Sequence, residues 1–314
     1  MSSILVTGAS GQLGSEINAL SGFYPHHTFT FADRNTLDLN NLCKLEDYFD
    51  TNTFDVIINC AAYTAVDKAE SDEELANTIN HRAVSLLAKI AKKKDIALIH
   101  VSTDYVFDGK NYRPYVETDP TNPQGVYGRS KGDGENAILD VAPKNTLIIR
   151  TSWVYSSFGN NFVKTMLRLG KERDSLGVIF DQVGTPTYAR DLAKAILDIL
   201  PKINTTTPEI YHYSNEGCAS WYDFAKAIFE LSNIQCTVNP ITTDQYPTPA
   251  TRPHYSLLNK AKIKEEFGII IPYWRDSLKE CLKELGEKYE NHFSHRMRRI
   301  YREQFRPLFF KQIS

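Results

Sequence analysis

Five short apolar runs, separated by longer amphipathic stretches, recur along the first 152 residues and constrain the fold more than any other feature. The runs are ILVT (4–7), TFTFA (28–32), DVIINC (55–60), ALIHVS (97–102) and TLIIRTS (146–152). Strands that alternate with helices form right-handed βαβ units, and such units place their strands in one parallel sheet. The sequence therefore predicts an α/β protein built on a doubly wound parallel sheet.

A glycine-rich loop lies directly between the first strand and the first helical pattern. The segment ILVTGASGQLGSEI spaces Gly8, Gly11 and Gly14 as G-x-x-G-x-x-G, a variant of the dinucleotide-binding fingerprint. Residues without a side chain let the chain turn tightly and let a pyrophosphate approach the helix N-terminus. This position favours a Rossmann-type dinucleotide site over a plain glycine-rich turn, and the loop residues beside the cofactor would include Ser10, Gln12 and Leu13.

Two charged residues after the second run bear on which dinucleotide binds. Asp33 can accept hydrogen bonds from an adenine ribose, whereas Arg34 can pair with a 2′-phosphate. The sequence leaves NADH and NADPH both open as the cofactor.

The remaining chain divides by pattern. Apolar residues from Asp72 to Lys93 recur at close to 3.6-residue spacing, which predicts an amphipathic helix. After residue 152 the alternation loosens, which indicates a smaller α/β domain built around the carboxyl ends of the sheet. We predict a dinucleotide-binding domain over 1–152, to which the chain can return later. A mainly substrate-binding domain would cover 153–287, and a basic extension 288–314.

Composition narrows the classes of partner. The formal net charge of -2 provides no overall basic field for nucleic acid. The five cysteines are scattered, without the spacing of a metal site, and this fits a reducing, cytoplasmic compartment. We find no targeting signal and no apolar run that approaches the ~20 residues of a membrane span. We therefore expect a cytoplasmic protein with a small-molecule partner, and without a metal or nucleic-acid ligand.

Tyr127 and Lys131 stand four residues apart in VYGRSKGDGE, after the proline-marked turn DPTNPQ. If this segment is helical, both side chains lie on one face and reach a common point. Catalysis and an ordinary surface pair both account for the spacing, so the spacing alone does not choose between them.

Several blocks, taken in order, make the chain resemble the extended short-chain dehydrogenases, and within them the dTDP-4-dehydrorhamnose reductases. These blocks are VTGASGQLG, NCAAYTAVDKAE, HVSTDYVFDG, VYGRSK, RTSWVY, GNNFVKTML, DQVGTPT and YPTPATRPHYSLLN, and they cover about residues 3 to 285. The resemblance implies reduction of the C4 ketone of dTDP-4-dehydro-L-rhamnose by NADPH or NADH, in deoxysugar and cell-surface polysaccharide biosynthesis.

The resemblance also implies three catalytic residues. Tyr127 would donate a proton to the ketone oxygen, and Thr103 would hydrogen-bond that oxygen. Lys131 would stabilise the phenolate by its charge and hold the nicotinamide ribose. In similar 4,6-dehydratases a glutamate follows the Thr-Asp pair, whereas here Thr103-Asp104 is followed by Tyr105. The base for water elimination is therefore missing.

Other positions carry over as ligand contacts. Arg252 would bind the diphosphate of the substrate, because a guanidinium matches phosphate with two parallel hydrogen bonds. Asp104 would accept a sugar hydroxyl, and Trp153 would pack against the deoxysugar. The expected cofactor contacts beyond the glycine loop are Asp38, Leu39, Ala61, Ala62, Tyr63 and Thr64.

Two alternative functions stay open on the sequence. One is reduction of another 4-keto-6-deoxy nucleotide sugar. The other is a non-catalytic regulatory role, as in the similar β subunit of methionine adenosyltransferase. Intact Thr103, Tyr127 and Lys131 favour an active enzyme.

The C-terminal extension departs from the family pattern. From Lys288 to Ser314 it has seven Lys or Arg against two Glu. We predict a helix that packs on the protein or faces a partner, with an anionic membrane surface as the second interpretation. A homodimer is also left open. The apolar residues of the extension that stand at helical spacing are Phe293, Met297, Ile300, Tyr301 and Phe305.

Overall fold

The computed structural model describes residues 1–287, and its centre is a parallel sheet of six strands. The strands of the described chain are β1 (Ser2–Thr7), β2 (His27–Ala32), β3 (Val56–Asn59), β4 (Ala97–Thr103), β5 (Thr146–Thr151), β6 (Val154–Tyr155), β7 (Ser175–Ile179), β8 (Val183–Gly184), β9 (Thr187–Tyr188), β10 (Glu209–His212), β11 (Ala219–Ser220) and β12 (Thr237–Ile241). The central sheet has the order β10-β5-β4-β3-β1-β2, and each pair of neighbours is parallel. The predicted doubly wound parallel sheet is confirmed.

Helices cover both faces of this sheet. They are α1 (Gln12–Ser21), α2 (Leu42–Thr51), α3 (Val66–Ala69), α4 (Glu73–Asn77), α5 (Ala83–Lys94), α6 (Val126–Val141), α7 (Phe162–Glu172), α8 (Ala189–Ile199), α9 (Trp221–Leu231), α10 (Ala261–Phe267) and α11 (Trp274–Glu284). On one face Ile4 and Ile58 of the sheet pack with Ile17 of α1 and Ile196 of α8. The strands are apolar on both sides, as expected for a buried parallel sheet.

The opposite face of the sheet packs against α2, α5 and α6. Leu5, Ile57 and Leu98 alternate in sequence with the residues of the first face, and they contact Leu87 and Ile138 of the helices. This alternation is the period of two expected in a strand. The face is important for the site because α6 lies on it.

A π-helical turn, Thr78–Arg82, joins α4 to α5. The helix predicted over residues 72–93 is therefore present, with one wide turn inside it. Such turns are rare and often occur at functional sites. This one directs Asn80, which is 1% exposed, toward α6.

The second half of the chain builds a separate apolar core. Tyr155, Phe224 and Leu278 are fully buried there, where α7, α9 and α11 pack together with the short strands. The chain also returns to the central sheet, because β10 pairs with β5. The domain bounds 1–152 and 153–287 stay a prediction.

Within residues 1–287, no helix combines the length and the apolar character that a membrane crossing requires. The predicted basic helix over 288–314 lies outside the described residues.

Candidate active site

All six parallel strands of the central sheet end at one edge, and a cavity of about 650 Å³ there is lined by residues at or just after the ends of β1 to β5. Ligands of open α/β sheets bind outside the carboxyl ends of the strands. Gly8 and Gly11 line one part of this cavity, and Tyr127 and Lys131 line another. The cavity therefore joins the glycine loop to the predicted catalytic pair.

The glycine loop leaves no space for a side chain at its first glycine. Gly8 has a φ of +66°, and a Cβ atom there would lie 2.7 Å from the backbone nitrogen of Ala61. Gly11 is the N-cap of α1, and no side chain of the described residues caps the helix there. The first backbone N–H groups of a helix have no partner inside the helix, so an anion is favoured at this end. These residues fit the pyrophosphate of a dinucleotide.

Most predicted cofactor contacts lie in the cavity wall. Two predicted contacts, Gly14 and Asp33, are absent from its described lining, and Gly14 instead packs beneath the loop, where a Cβ would be 2.4 Å from the carbonyl oxygen of Gly8. The predicted residues that line the cavity are Gly8, Ser10, Gly11, Gln12, Leu13, Arg34, Asp38, Leu39, Ala61, Ala62, Tyr63, Thr64, Tyr127 and Lys131.

The carboxylate of Asp33 accepts hydrogen bonds from residues of its own turn. It accepts hydrogen bonds from the backbone N–H of Asn35 at 3.0 Å and of Thr36 at 2.9 Å. These bonds, with one from the Thr36 hydroxyl, lower the pKa of Asp33. Arg34, by contrast, lines the cavity, and its guanidinium lies 3.7 Å from Asp38. Of the two charges that were weighed on the sequence, the cation is the one in the cavity wall.

Thr103 and the helical pair meet at the start of α6. Thr103 ends β4, and its hydroxyl lies near enough to the phenol of Tyr127 to lower the pKa of that phenol. Tyr127 packs edge-on against Tyr105, with 5.4 Å between ring centroids. Lys131 is 1% exposed, and its Nζ donates to the carbonyl oxygen of Val101 at 2.7 Å. The pair is therefore not an ordinary surface pair.

Burial controls the protonation of Tyr127 and Lys131. It raises the pKa of Tyr127 to about 12, an effect that the nearby Thr103 hydroxyl opposes and the charge of Asp104 reinforces. Burial also lowers the pKa of Lys131 to about 8, against the charges of Glu135 and Cys60. Lys131 is not among the groups that shift the pKa of Tyr127 here, so its expected stabilisation of the phenolate stays a prediction. At neutral pH the phenol is protonated, which is the form that a proton donor needs.

Asp104 presents an unpaired oxygen beside Thr103. Its Oδ1 accepts a hydrogen bond from the Thr103 hydroxyl at 3.0 Å, whereas Oδ2 has no partner among the described residues. Burial raises the pKa of Asp104 to about 6. The nearby Ser256 hydroxyl, which also has no partner among the described residues, lowers this pKa, but its effect is smaller than that of burial. A buried acceptor without a partner is costly, so this oxygen is suited to a hydroxyl of a ligand.

Trp153 has an unusual backbone conformation, and its indole ring is stacked on another. It has a φ of +49°, in the left-handed region, where a bulky side chain is an outlier. Its indole stacks on that of Trp221, with centroids 3.6 Å apart and planes 8° apart. Trp221 begins α9, which is capped reciprocally by Ser220 and Asp223.

Arg252 is already bound by a carboxylate. Its Nη1 and Nη2 donate to the two oxygens of Asp67 at 2.9 and 2.8 Å. This two-point geometry is the one by which a guanidinium binds phosphate. The described cavity lining does not include Thr103, Asp104, Trp153 or Arg252. Their proposed substrate roles, like the cofactor roles above, stay predictions.

Sequence reasoning missed Asn80, which connects the cavity wall to α6. The Oδ1 of Asn80 accepts from the backbone N–H of Tyr63 at 2.8 Å, and its Nδ2 donates to Ser130 Oγ at 3.0 Å. One signal was available: Asn80 is seven residues before Leu87 and so lies on the apolar face of the predicted helix. Asn59 and His100 were missed as well, because a polar residue inside a buried strand has no motif of its own.

Comparison with known proteins agrees with this geometry. The family model described as RmlD substrate binding domain matches residues 1–287. A dTDP-4-dehydrorhamnose reductase of Aggregatibacter actinomycetemcomitans is 45% identical, over 89% of this chain and 98% of that protein. Among solved structures, an enzyme of this name from Clostridium acetobutylicum has a TM-score of 0.85 and 42% identity, over 90% of this chain and 99% of that chain. Another, from Bacillus anthracis in complex with NADP, has a TM-score of 0.84 and 36% identity over the same shares.

Proposed function

The chain belongs to the RmlD substrate binding domain family, and on that premise we propose that it reduces the C4 ketone of dTDP-4-dehydro-L-rhamnose to dTDP-L-rhamnose, using NADPH or NADH. The observation that carries the proposal is the convergence of the end of β4, at Thr103, with the start of α6, where Tyr127 and the buried Lys131 line the cavity. Both members of the helical pair line the cavity that begins at the uncapped glycine loop.

The proposed mechanism needs a hydride for the ketone carbon and a proton for the ketone oxygen. The bound nicotinamide cofactor would supply the hydride. Tyr127, protonated at neutral pH, would donate the proton, and the Thr103 hydroxyl would hydrogen-bond the same oxygen while negative charge develops on it. Lys131, when charged, would then favour the phenolate that remains.

We assign the cofactor to the glycine-loop end of the cavity. The N-terminus of α1 would bind the pyrophosphate, and Asp38 and Leu39 would lie on the adenine side. Arg34 lines the cavity and would pair with a 2′-phosphate, so we propose a preference for NADPH over NADH.

We assign the sugar nucleotide to residues at the mouth of the site. The free Oδ2 of Asp104 would accept a sugar hydroxyl, and Trp153 would pack against the deoxysugar ring. Arg252 would exchange its bonds to Asp67 for bonds to the diphosphate. These roles also fit reductases of other 4-keto-6-deoxy nucleotide sugars.

The direct test uses purified full-length protein with dTDP-4-dehydro-L-rhamnose and either NADPH or NADH. We expect substrate-dependent loss of reduced-cofactor absorbance and formation of dTDP-L-rhamnose. Tyr127→Phe should lose most of this activity and keep its affinity for NADPH, because the hydroxyl acts mainly in the transition state.

Absence of turnover with every 4-keto-6-deoxy sugar nucleotide tried would contradict the proposal. It would favour the regulatory alternative, provided that the same preparation binds NADPH.

We further propose that the protein works in the cytoplasm, and that residues 288–314 bind either a second subunit or another partner. The five free cysteines and the basic composition of the extension support these proposals. Full-length protein should be compared with protein truncated after Glu287. A lower oligomer mass or melting temperature after truncation supports docking on protein, whereas salt-sensitive loss of binding to anionic vesicles supports a membrane surface. No change in any of these would contradict the proposed role of the extension.

A further inference from the structure

Three polar side chains form a buried row across the central sheet. Thr7 of β1, Asn59 of β3 and His100 of β4 are neighbours in register, and each is at most 1% exposed. They lie two residues after Leu5, Ile57 and Leu98, and therefore on the face that α6 covers. Polar groups placed in such a core are costly unless every one of them is hydrogen-bonded.

The row is hydrogen-bonded from end to end. Thr7 Oγ1 donates to Asn59 Oδ1 at 2.6 Å, and Asn59 Nδ2 lies 3.0 Å from His100 Nδ1. His100 Nε2 lies 3.3 Å from Lys131 Nζ. The row therefore ends at the predicted catalytic lysine.

The surroundings of Lys131 leave one hydrogen for a ligand. An ammonium has three N–H donors. One donates to the Val101 carbonyl oxygen at 2.7 Å, and a second can donate to His100 Nε2. Lys131 lines the cavity, whereas the described lining does not include Thr7, Asn59 or His100. The row can act on a bound molecule only through Lys131.

The row can satisfy Lys131 in both of its charge states. With Asn59 Nδ2 facing Nδ1, a neutral imidazole carries its proton on Nε2, and an uncharged Lys131 amine accepts it. A half turn of the Asn59 amide exchanges its oxygen and nitrogen. The imidazole then carries its proton on Nδ1, donates it to the amide oxygen, and accepts at Nε2 from a charged Lys131. Either arrangement keeps one Lys131 N–H for the cavity.

We propose that His100 is a positioning residue for the reduction: with Asn59 and Thr7 it holds Nζ of Lys131 at the cavity wall, whichever charge Lys131 carries. His100 itself stays neutral, because burial and the neighbouring Lys131 charge lower its pKa well below the ordinary value. The catalytic use of Lys131 rests on the proposed function. The row and its contact with Lys131 do not.

The test measures the dissociation constant of NADPH as a function of pH in the absence of a sugar substrate. It also measures kcat/KM as a function of pH with the sugar nucleotide present. Lys131 holds NADPH best when charged, so NADPH affinity should fall on the alkaline side. Besides His100, the titratable groups that act on Lys131 are Glu135 of α6, which is paired with Arg150 of β5, and Cys60 after β3. Tyr127 lines the same cavity, and the variants leave all of these residues unchanged.

The alkaline limb is the pH range in which NADPH affinity falls as pH rises. Two variants should move this limb in opposite directions. His100→Leu removes an acceptor from a buried ammonium, so the limb should shift to lower pH by about one unit. Asn59→Asp provides a permanent acceptor for Nδ1–H and a negative charge, so the limb should shift to higher pH. His100→Gln offers an amide oxygen to Lys131 and should return the limb toward the wild-type position.

His212→Leu is the matched control. His212 is also fully buried, but it lies in β10, and its Nδ1 contacts the carbonyl oxygen of Tyr115. This variant should lower the melting temperature without moving the limb. If His100→Leu does not fold, Asn59→Asp and His100→Gln still decide the question.

The outcomes separate this inference from the proposed function. If the two variants shift the alkaline limb of NADPH binding in opposite directions, in a protein that reduces no 4-keto sugar, the result would support the row and contradict the proposed function. An active wild-type enzyme whose variants all weaken NADPH binding by the same factor at every pH, with the limb unmoved, would overturn the inference.

Discussion

Asp104 shows at the scale of one residue how a site is kept at the expense of stability. Burial raises its pKa from 3.8 to about 6, so the folded protein binds this proton more tightly than the unfolded chain does. The free energy of unfolding therefore falls as pH rises from about 4 to about 6, and the deficit persists above that range.

We expect Asp104→Asn to be more stable than wild type at pH 7, by on the order of 3 kcal/mol if the two-unit shift is fully relieved. The gain should shrink as pH falls below 6, and KM for the sugar nucleotide should rise. Melting temperatures and steady-state kinetics from pH 5 to 8 check this. A gain that does not depend on pH would show that the carboxylate charge is not its cause.

The proposed preference for NADPH also rests on a single side chain, Arg34. We expect Arg34→Ala to lower kcat/KM for NADPH by roughly tenfold and to leave that for NADH nearly unchanged, because hydrogen bonds to a charged group contribute about 1.5–3 kcal/mol. Asp33→Asn is the control, since its carboxylate is bonded to Asn35 and Thr36 of its own turn. Equal losses with both cofactors would place the 2′-phosphate away from Arg34.

At the scale of elements, the site depends on how closely α6 approaches its neighbours. A Cβ atom at Gly134 would lie 2.2 Å from the carbonyl oxygen of Asn80 in the π turn. A Cβ at Gly132, in the same helix, would meet only Val106 Cγ1, at 3.9 Å. The first glycine is needed for packing, and the second is not.

We therefore expect Gly134→Ala to destabilise the protein by about 1–3 kcal/mol through overpacking, and to lower kcat by shifting Tyr127 and Lys131. Gly132→Ala should stabilise it by about 0.5–1 kcal/mol, because alanine favours the helix. Urea unfolding and kinetics of both variants test this. Similar stabilities for the two would mean that α6 can move away from the π turn freely.

At the scale of the whole molecule, a polar cluster joins the layers of the fold. Glu16 of α1 is fully buried and accepts from the Ser156 hydroxyl at 2.6 Å. Arg190 of α8 lies 3.4 Å from Glu16 and 3.3 Å from Glu284 of α11. One arginine thus bridges two carboxylates from helices far apart in the sequence.

Arg190→Leu should leave those carboxylates facing each other. Removing one member of a buried ion pair costs about 3–5 kcal/mol, and we expect about 1–3 kcal/mol here because Arg190 is a third exposed. The pKa of Glu16, already raised by burial, should rise further, so the loss should grow as pH increases. Unfolding at pH 5 and pH 8 measures the difference. Lys194→Leu, in the same helix, is the control. It removes a surface ion pair with Asp198 and should lower the free energy of unfolding far less.

The sequence alone determined the central sheet, the glycine loop and the family. Strand periodicity, helix periodicity and the position of glycines depend on residues close together in the chain, and local sterics and amphipathicity act over such distances. The blocks around Thr103, Tyr127 and Lys131 could be matched for the same reason: each block is contiguous.

Which groups meet follows from the packing of elements that are distant in the sequence. That Trp153 stacks on Trp221 and that Arg252 is held by Asp67 depends on the relative positions of whole elements. The row from Thr7 to His100 arises because strand order makes β1, β3 and β4 neighbours. Burial then sets the protonation of Lys131, and burial is a property of the packed molecule that no stretch of sequence carries by itself.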